Sequence, residues 1–569
     1  MAIKSPLGRQ LGTQFDSVFD VVKSNPMYDK TGGKIPSLDL NFAKSKSLRD
    51  SRSTKNLINF TRASIGTYVD SDGLIKSSPV NLLTYSEQFD QWTVAGNSIL
   101  TPNAIAAPDG TLTADGIYFA TTGATNVSQN VTLTQDKNYT FSVYAKAVTP
   151  GSNNKFTPYI NSTTPKSPTD PFEATSEWVR FSYTFTHTNP SASVGVFILN
   201  KGDTYITNVY FWGAQLEEGT TATDYIPTGA TKSGAPRFDH DPVTGESLGL
   251  LIEEQRTNYT YNSNIVDGSN LGTTILSTLE SVVSPRGIVE NVRKLDMGSG
   301  NSVWRFGAAS ASAPDRNYAI SFWVKLASGT SSHFHVDIND RTPSTNQVHL
   351  NITNEWQRYI AIGGLRGDTA GHRFADINLT SQTVNPIYVW GAQIEAAEFV
   401  TSYIPTDTSY VTRSPDLTTI EGTNFTGGWY NQSEGTIFSD ISPLDTSSGR
   451  GYLFSNGSNG QRIGHNTNST TGFALFVFKN TITSLSTAVS GMPKPIKTCL
   501  AYKPGSSRGV IDGDLKTLST TSDIPNAIDQ VGLGVQNFGT VSGFLNGHIS
   551  RLAYFPTRLP DDKLKSITT

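Results

Sequence analysis

The eleven residues VYFWGAQLEEG beginning at Val209 return as IYVWGAQIEAA beginning at Ile387, 178 positions later. Three more blocks keep the same order and nearly the same spacing. NYTFSVYAKA from Asn138 answers NYAISFWVKL from Asn317 (179), EWVRF from Glu177 answers EWQRY from Glu355 (178), and TDYIPT from Thr223 answers TSYIPT from Thr401 (178). Four blocks in one order at one spacing mark a duplicated domain, so the chain must contain the same fold twice. Each copy, from Asn81 to Tyr225-Ile-Pro and from Thr257 to Tyr403-Ile-Pro, is about 150 residues long, the size of one sandwich of about eight strands.

Alternation within the blocks predicts which side of each strand is buried, because successive side chains point to opposite faces. Tyr139, Phe141, Val143 and Ala145 share one face, as do Tyr318, Ile320, Phe322 and Val324; these are the expected core positions. The opposite face carries Thr140, Ser142, Tyr144 and Lys146 in the first copy and Ala319, Ser321, Trp323 and Lys325 in the second. By the same rule Tyr210, Trp212, Ala214 and Leu216 match Tyr388, Trp390, Ala392 and Ile394 as core, with Gln215 and Gln393 pointing the other way.

Composition agrees with sandwiches. Charged residues are 16%, Gly and Pro number 50 and 28, and 569 residues exceed what one core holds. A net charge of −4 without a dense Lys/Arg run argues against nucleic acid or an anionic membrane as partner. The single cysteine, Cys499, excludes an intrachain disulfide and a cysteine-based zinc site. No apolar run reaches the roughly 18 residues of a membrane span, and MAIKSPLGRQLGTQF lacks a secretory apolar core, so the expected product is soluble and made in the cytoplasm.

The expected organisation is an N-terminal arm (1–59), a leader hairpin (60–80), the first sandwich (81–230), a second leader hairpin (231–257), the second sandwich (258–408) and a C-terminal domain (409–569). Each leader is read as a hairpin lying against the sandwich that follows, since Asp72-Gly73 and DPVTGE from Asp241 supply turn chemistry between β-prone runs. VTRSPDLTTIEG from Val411 opens the last domain. The arm has little periodic hydrophobicity and is expected to gain order by binding another protein.

LDLNFAKSKSLRDSRSTKNLINFTRASIGTYVDSDGLIK from Leu38 and PRFDHDPVTGESLGLLIEEQRTN from Pro236 resemble linker signatures of tailed-bacteriophage virion appendage proteins, the tail fibres and capsid fibres. The repeated copies are similar to the carbohydrate-binding jelly rolls of such proteins. Residues 409–569, with GTIFSDI and NGHISRLAYFPTRLP, resemble a concanavalin A/laminin-G-like sandwich. The resemblance implies an all-β fold, tandem β-sandwiches comprising two jelly rolls plus a concanavalin-like sandwich, with an N-terminal extended arm. It also implies a virion structural protein.

Sugar rings stack their C–H faces on exposed aromatic rings, and their hydroxyls bond to amides and cations. Tyr144 with Lys146 and Gln215, and Trp323 with Lys325 and Gln393, supply that combination and are the candidate glycan-binding residues. The alternative is that each ring is covered by a leader hairpin or a neighbouring subunit. DSDG at Asp70 and DHDPVTGE at Asp239 open like calcium loops but lack the later carboxylates; solvated turns and one structural calcium per jelly roll, as the family often holds, are both open readings. No other cofactor is expected.

No catalysis is expected. The Glu-x-Asp-x-x-Glu strand of concanavalin-like glycosidases, the Gly-x-Ser-x-Gly elbow and His-Glu-x-x-His are all absent. Glu253-Glu254 beside Arg256 reads as a surface ion pair, and His548 as a turn cap. The expected function is multivalent adhesion of a virion-located tail fibre or related appendage to host-surface polysaccharide. Its partners would be other phage virion proteins through the arm and further copies of itself, a trimer being the first guess. The rival reading is a capsid or tail scaffold whose sandwiches touch only protein.

Overall fold

In the computed structural model the described residues are 26–120, 125–161, 165–200, 206–272, 275–296, 302–306, 317–330, 332–337, 347–364, 366–367, 373–379, 385–444, 449–457, 460–468, 472–479, 481–487, 495–517, 524–536 and 542–569. The described chain is built from antiparallel β-sheets with a few short helices. It divides into two compact units, one of residues 60–67 and 77–236, the other of residues 26–59, 68–76 and 237–569.

The smaller unit holds the first copy. One sheet runs Val179–Thr186, Asn138–Ala147, Thr207–Glu218, Ala114–Phe119, Ile99–Ile105; the other runs Phe172–Glu173, Lys155–Ile160, Ser193–Leu199, Asn126–Thr132, Thr93–Ala95. Phe141, Val143, Phe156, Val196, Ile198 and Phe211 fill the space between them. The predicted core parity of Tyr139, Phe141, Val143 and Ala145 is the observed one. In the larger unit the second copy repeats the first sheet strand for strand: Gln357–Gly364, Asn317–Leu326, Ile387–Glu395, Val289–Asp296, Leu276–Val283.

The repeated Trp-Gly-Ala strand departs from strict alternation. Ser142 faces Gln215 but Tyr144 faces Trp212, so the register slips by one residue, and the same slip separates Ser321–Gln393 from Trp323–Trp390. Gly213 and Gly391 sit at the slip with φ of 65° and 68°, a left-handed conformation that glycine takes without steric cost. The bulge inverts the alternation. Ala214 and Leu216 join the inter-sheet core as predicted, but Trp212 and Trp390 lie on the opposite face, beside Tyr144 and Trp323.

The C-terminal part of the larger unit is a further pair of sheets, and chain segments outside 409–569 help to build it. One sheet runs Phe238–His240, Ser247–Ile252, Gly547–Phe555, Gly435–Pro443, Ile496–Tyr502, Arg508–Ile511, Asp514–Thr517. Leu38–Leu40 pairs antiparallel with Gly547–Phe555, Leu38 opposite Tyr554. The facing sheet includes Leu417–Ile420, Gln530–Leu533, Gly449–Ser455, Gln461–Asn468, Gly472–Lys479 and Thr481–Thr487.

The arm is therefore corrected in its described part: Leu38, Leu40, Phe42 and Ile58 are core residues of the C-terminal sandwich, and Asp39 is held by Arg551 through two hydrogen bonds of 2.8 and 2.7 Å. Apolar side chains at alternate positions find their burial within the same chain. Residues 1–25 lie outside the described residues.

Both leaders contain hairpins, but their seats differ from expectation. Tyr68–Lys76 of the first leader lies against the second leader and the second copy: Val69 N donates to Asp239 Oδ1 (2.6 Å), Ile75 N donates to the Pro285 carbonyl (3.0 Å), and Ile75 packs with Trp323 and Trp390. The second leader extends the C-terminal sheet, with Leu250 opposite Ile549.

Candidate functional site

Each copy carries an aromatic cluster on the outer face of its Asn138- or Asn317-containing sheet. In the first, Tyr144 meets Trp212 at 5.4 Å, Trp212 meets Tyr225 at 4.5 Å, and the Arg180 guanidinium lies 5.5 Å from the Tyr144 centroid. In the second, Trp323 meets Trp390 at 5.4 Å, Trp390 meets Tyr403 at 4.9 Å, and Arg358 lies 4.6 Å from Trp323. Arg180 and Arg358 each donate to a serine, Ser142 or Ser321, at 2.9 Å. The copies differ in cover. Tyr144 and Tyr225 are half-buried, whereas Trp323 is 9% and Tyr403 3% exposed, with Ile75 of the first leader against them.

The six predicted residues separate accordingly. Gln215 and Gln393 are fully buried, and the idea that they face outward to a ligand is corrected. Gln215 donates to Glu217 (2.7 Å) and accepts from Ile226 N (2.7 Å); Gln393 donates to Glu395 (2.8 Å) and accepts from Ile404 N (2.6 Å). A buried amide must satisfy both ends, and here both ends tie down the Tyr-Ile-Pro strap. Lys146 and Lys325 are half-buried; Lys325 Nζ stands 5.0 Å from the Trp356 ring. Trp323 is covered, as the alternative reading held, though by the leader that precedes the first copy. Tyr144 keeps a partly exposed ring.

A second face escaped the sequence reading. On the other sheet of the first copy, Phe156, Ile160, Val194, Val196 and Ile198 point inward, leaving Tyr159 and Phe197 directly opposite each other on the outside. Their rings are half-buried with centroids 5.8 Å apart. Gly195 makes room for Phe197, since a Cβ there would come 2.5 Å from the ring, and Asn161 Oδ1 accepts from Gly195 N at 2.8 Å. Lys166 Nζ lies 5.9 Å from the Tyr159 centroid. Two rings set edge to face, an amide and a cation thus meet on one surface. The alternation that found Tyr144 would have found this pair in KFTPYI and SVGVFIL.

The acidic turns do not fit a calcium ion. Asp70 Oδ1 accepts from Asp72 N and Leu74 N with Lys76 Nζ 3.5 Å from its Oδ2, Asp241 Oδ1 accepts from Val243 N and Thr244 N, and both Asp239 oxygens are taken by Val69 N and His548, so these carboxylates close turns and bond neighbours. Asp115, buried and bonded to Phe89 N and Asn103 N, is pushed up to about 6 by burial, against those hydrogen bonds; Arg293 occupies the matching strand position in the second copy. Among the described residues no group of three His, Cys, Asp or Glu side chains could hold a metal.

Glu253 is corrected from surface to core. It is fully buried between Arg237 and Arg413 at 2.8 Å each, with Asp416 on Arg237 at 2.5 Å; Glu254 alone makes the expected pair with Arg256. Burial raises the Glu253 carboxyl, but Arg413 and Arg237 outweigh it and hold it down to about 2. His548 does not cap a turn: its Nε2 bonds Asp239 Oδ2 at 2.8 Å, joining the last sheet to the second leader.

Residues 84–207, which carry the Tyr159–Phe197 face, match a family profile described as a carbohydrate binding domain. This part of the chain has a carbohydrate-binding-module-like jelly-roll fold within an all-β protein. No curated protein matches the chain. Among solved structures it is similar to the N-terminal CBM22 tandem domain of a Paenibacillus barcinonensis protein (16% identity, 56% of this chain and 97% of that one, TM-score 0.23). It is also similar to the Ruminococcus gnavus IT-sialidase CBM40 bound to α2,3-sialyllactose (20%, 24% and 84%, 0.22) and to the ANXUR2 extracellular domain from Arabidopsis thaliana (11%, 62% and 100%, 0.18). No helix among the described residues is long and apolar enough to cross a membrane.

Proposed function

We propose that the chain is a non-catalytic glycan-binding protein whose first copy binds sugar on the Tyr159–Phe197 face. The observation that carries this reading is the coincidence of the carbohydrate-binding-domain match with two half-exposed rings beside Asn161 and Lys166. A pyranose would stack on the rings while its hydroxyls bond the amide and ammonium. In the finer reading the chain is a tail-fibre-type component of a phage virion, with tandem jelly rolls and a concanavalin-like sandwich, assembled as a homo-oligomer. Weak contacts on several copies would then add through avidity. The leader phrases support the virion placement.

The test is a glycan array on the full chain. Tyr159→Ala with Phe197→Ala is expected to weaken binding about tenfold or more while the thermal melt is unchanged. Unchanged binding by that variant would move the site elsewhere. The scaffold reading draws support from one place, the Trp323 face, where the first leader already fills the surface with protein.

A further inference from the structure

The segments by which the chain enters and leaves the second copy run antiparallel, Arg256–Asn258 against Val411–Arg413, and tyrosines adjoin both. Tyr261 and Tyr410 stack with centroids 4.7 Å apart and planes at 18°. Tyr259 meets Tyr410 at 5.6 Å and, on its other side, the buried core residue Tyr318 at 6.5 Å. All three of Tyr259, Tyr261 and Tyr410 are half-buried, so the stack stands on the core and still presents ring surface to solvent.

The fold does not require this stack. The first copy builds the same frame, with Leu82 N donating to the Leu216 carbonyl (2.7 Å) where Tyr259 N donates to Ile394 (2.9 Å), and Ser233 opposite Asn81 where Val411 is opposite Asn258. At the tyrosine positions that frame carries Leu82, Thr84 and Lys232, and it closes as well. Tyr259 packs on the core as Leu82 does in the first copy, but Tyr261 and Tyr410 are rings that packing does not demand, and such rings at a partly exposed rim are a feature of recognition surfaces. Exposed polar groups adjoin them: Asp407, Thr408 and Ser409 directly precede Tyr410, and the Thr257 and Thr412 hydroxyls bond each other at 2.8 Å.

We propose that Tyr261 and Tyr410, backed by Tyr259, form a second sugar-binding platform, for a pyranose-containing glycan whose ring stacks on the tyrosines and whose hydroxyls bond Asp407 and Ser409. It rests on the glycan-binding reading above and adds to it. The two copies would bind sugar at different places, the first on a sheet face and the second on the rim where the chain enters and leaves.

The experiment is calorimetric titration of the full chain with the tightest-binding glycan from an array of neutral hexoses, pentoses, uronic acids and sialosides. Wild type is expected to bind at two sites. Tyr261→Thr with Tyr410→Lys, substitutions to residues that the same frame tolerates in the first copy, should remove one site. Tyr261→Phe with Tyr410→Phe should keep both within about threefold, because stacking survives. Wild-type stoichiometry in the Thr/Lys variant overturns the platform and leaves the Tyr159–Phe197 site standing. Loss of all binding in the Thr/Lys variant, with none lost in the Tyr159/Phe197 variant, supports the platform and overturns the first-copy site. No binding by wild type to any printed glycan overturns both.

Discussion

At the residue scale, one glycine in each copy decides which face a tryptophan joins. Strict alternation assigns Trp212 and Trp390 to the inter-sheet core; the left-handed Gly213 and Gly391 turn them to the other side, and every residue after the bulge returns to the predicted face. The signal was present, because a glycine inside an otherwise apolar strand marks a bulge. What alternation cannot supply is the direction of the slip. Both glycines also sit under aromatic rings: a Cβ at Gly391 would come 2.7 Å from Trp323, and one at Gly213 3.2 Å from Tyr225. Gly391→Ala is therefore expected to destabilise its unit by about 1–3 kcal/mol and Gly213→Ala by less, read from thermal melts of the full chain. Equal melting temperatures for wild type and Gly391→Ala would mean the bulge is not held as described.

At the element scale, the leaders are legible as hairpins and illegible as to seat. Asp-Gly and DPVTGE fix their turns through local chemistry, but nothing local says that Ile75 will reach Trp323 or that Leu250 will pair with Ile549. The same gap hid Glu253, whose neighbours in sequence suggested solvent while its partners, Arg237 and Arg413, come from separate segments. Glu253→Gln takes the shared carboxylate from those two buried cations, with Asp416 still on Arg237, and is expected to cost about 3–5 kcal/mol in chemical denaturation. The carboxyl is held at about 2, below its ordinary 4.5, so its contribution is present above pH 4.5 and fades as pH falls toward 2. Acid should thus lower the wild-type melt over that window by up to about 3 kcal/mol, and the Gln variant should lack that component.

At the scale of the whole molecule, the duplication and the sandwich class could be read directly, because a repeat of 178 residues with a period of two in its strands admits few folds. Domain boundaries could not, because they assume that each sandwich uses a continuous stretch. Leu38, Leu40 and Phe42 do alternate, but three positions are too short a run to separate a strand from an arm. A fragment of residues 60–236 contains its own complete core and is expected to melt cooperatively. A fragment of 409–569 lacks Leu38–Leu40 and Ser247–Ile252 and is expected to stay aggregated or molten. A sharp, reversible melt of 409–569 alone would contradict the shared construction.

Asp39 and the Arg551 that grips it are 512 residues apart in the chain. On a ribosome adding about 5–20 residues per second, the early strand waits about 25–100 seconds before its neighbour Gly547–Phe555 exists. During that interval its apolar side chains need shelter, while the sandwich of residues 77–236 is already free to collapse on its own. Synthesis and folding are thereby placed in a fixed temporal order, with Leu38–Leu40, made before both copies, among the last to find its place.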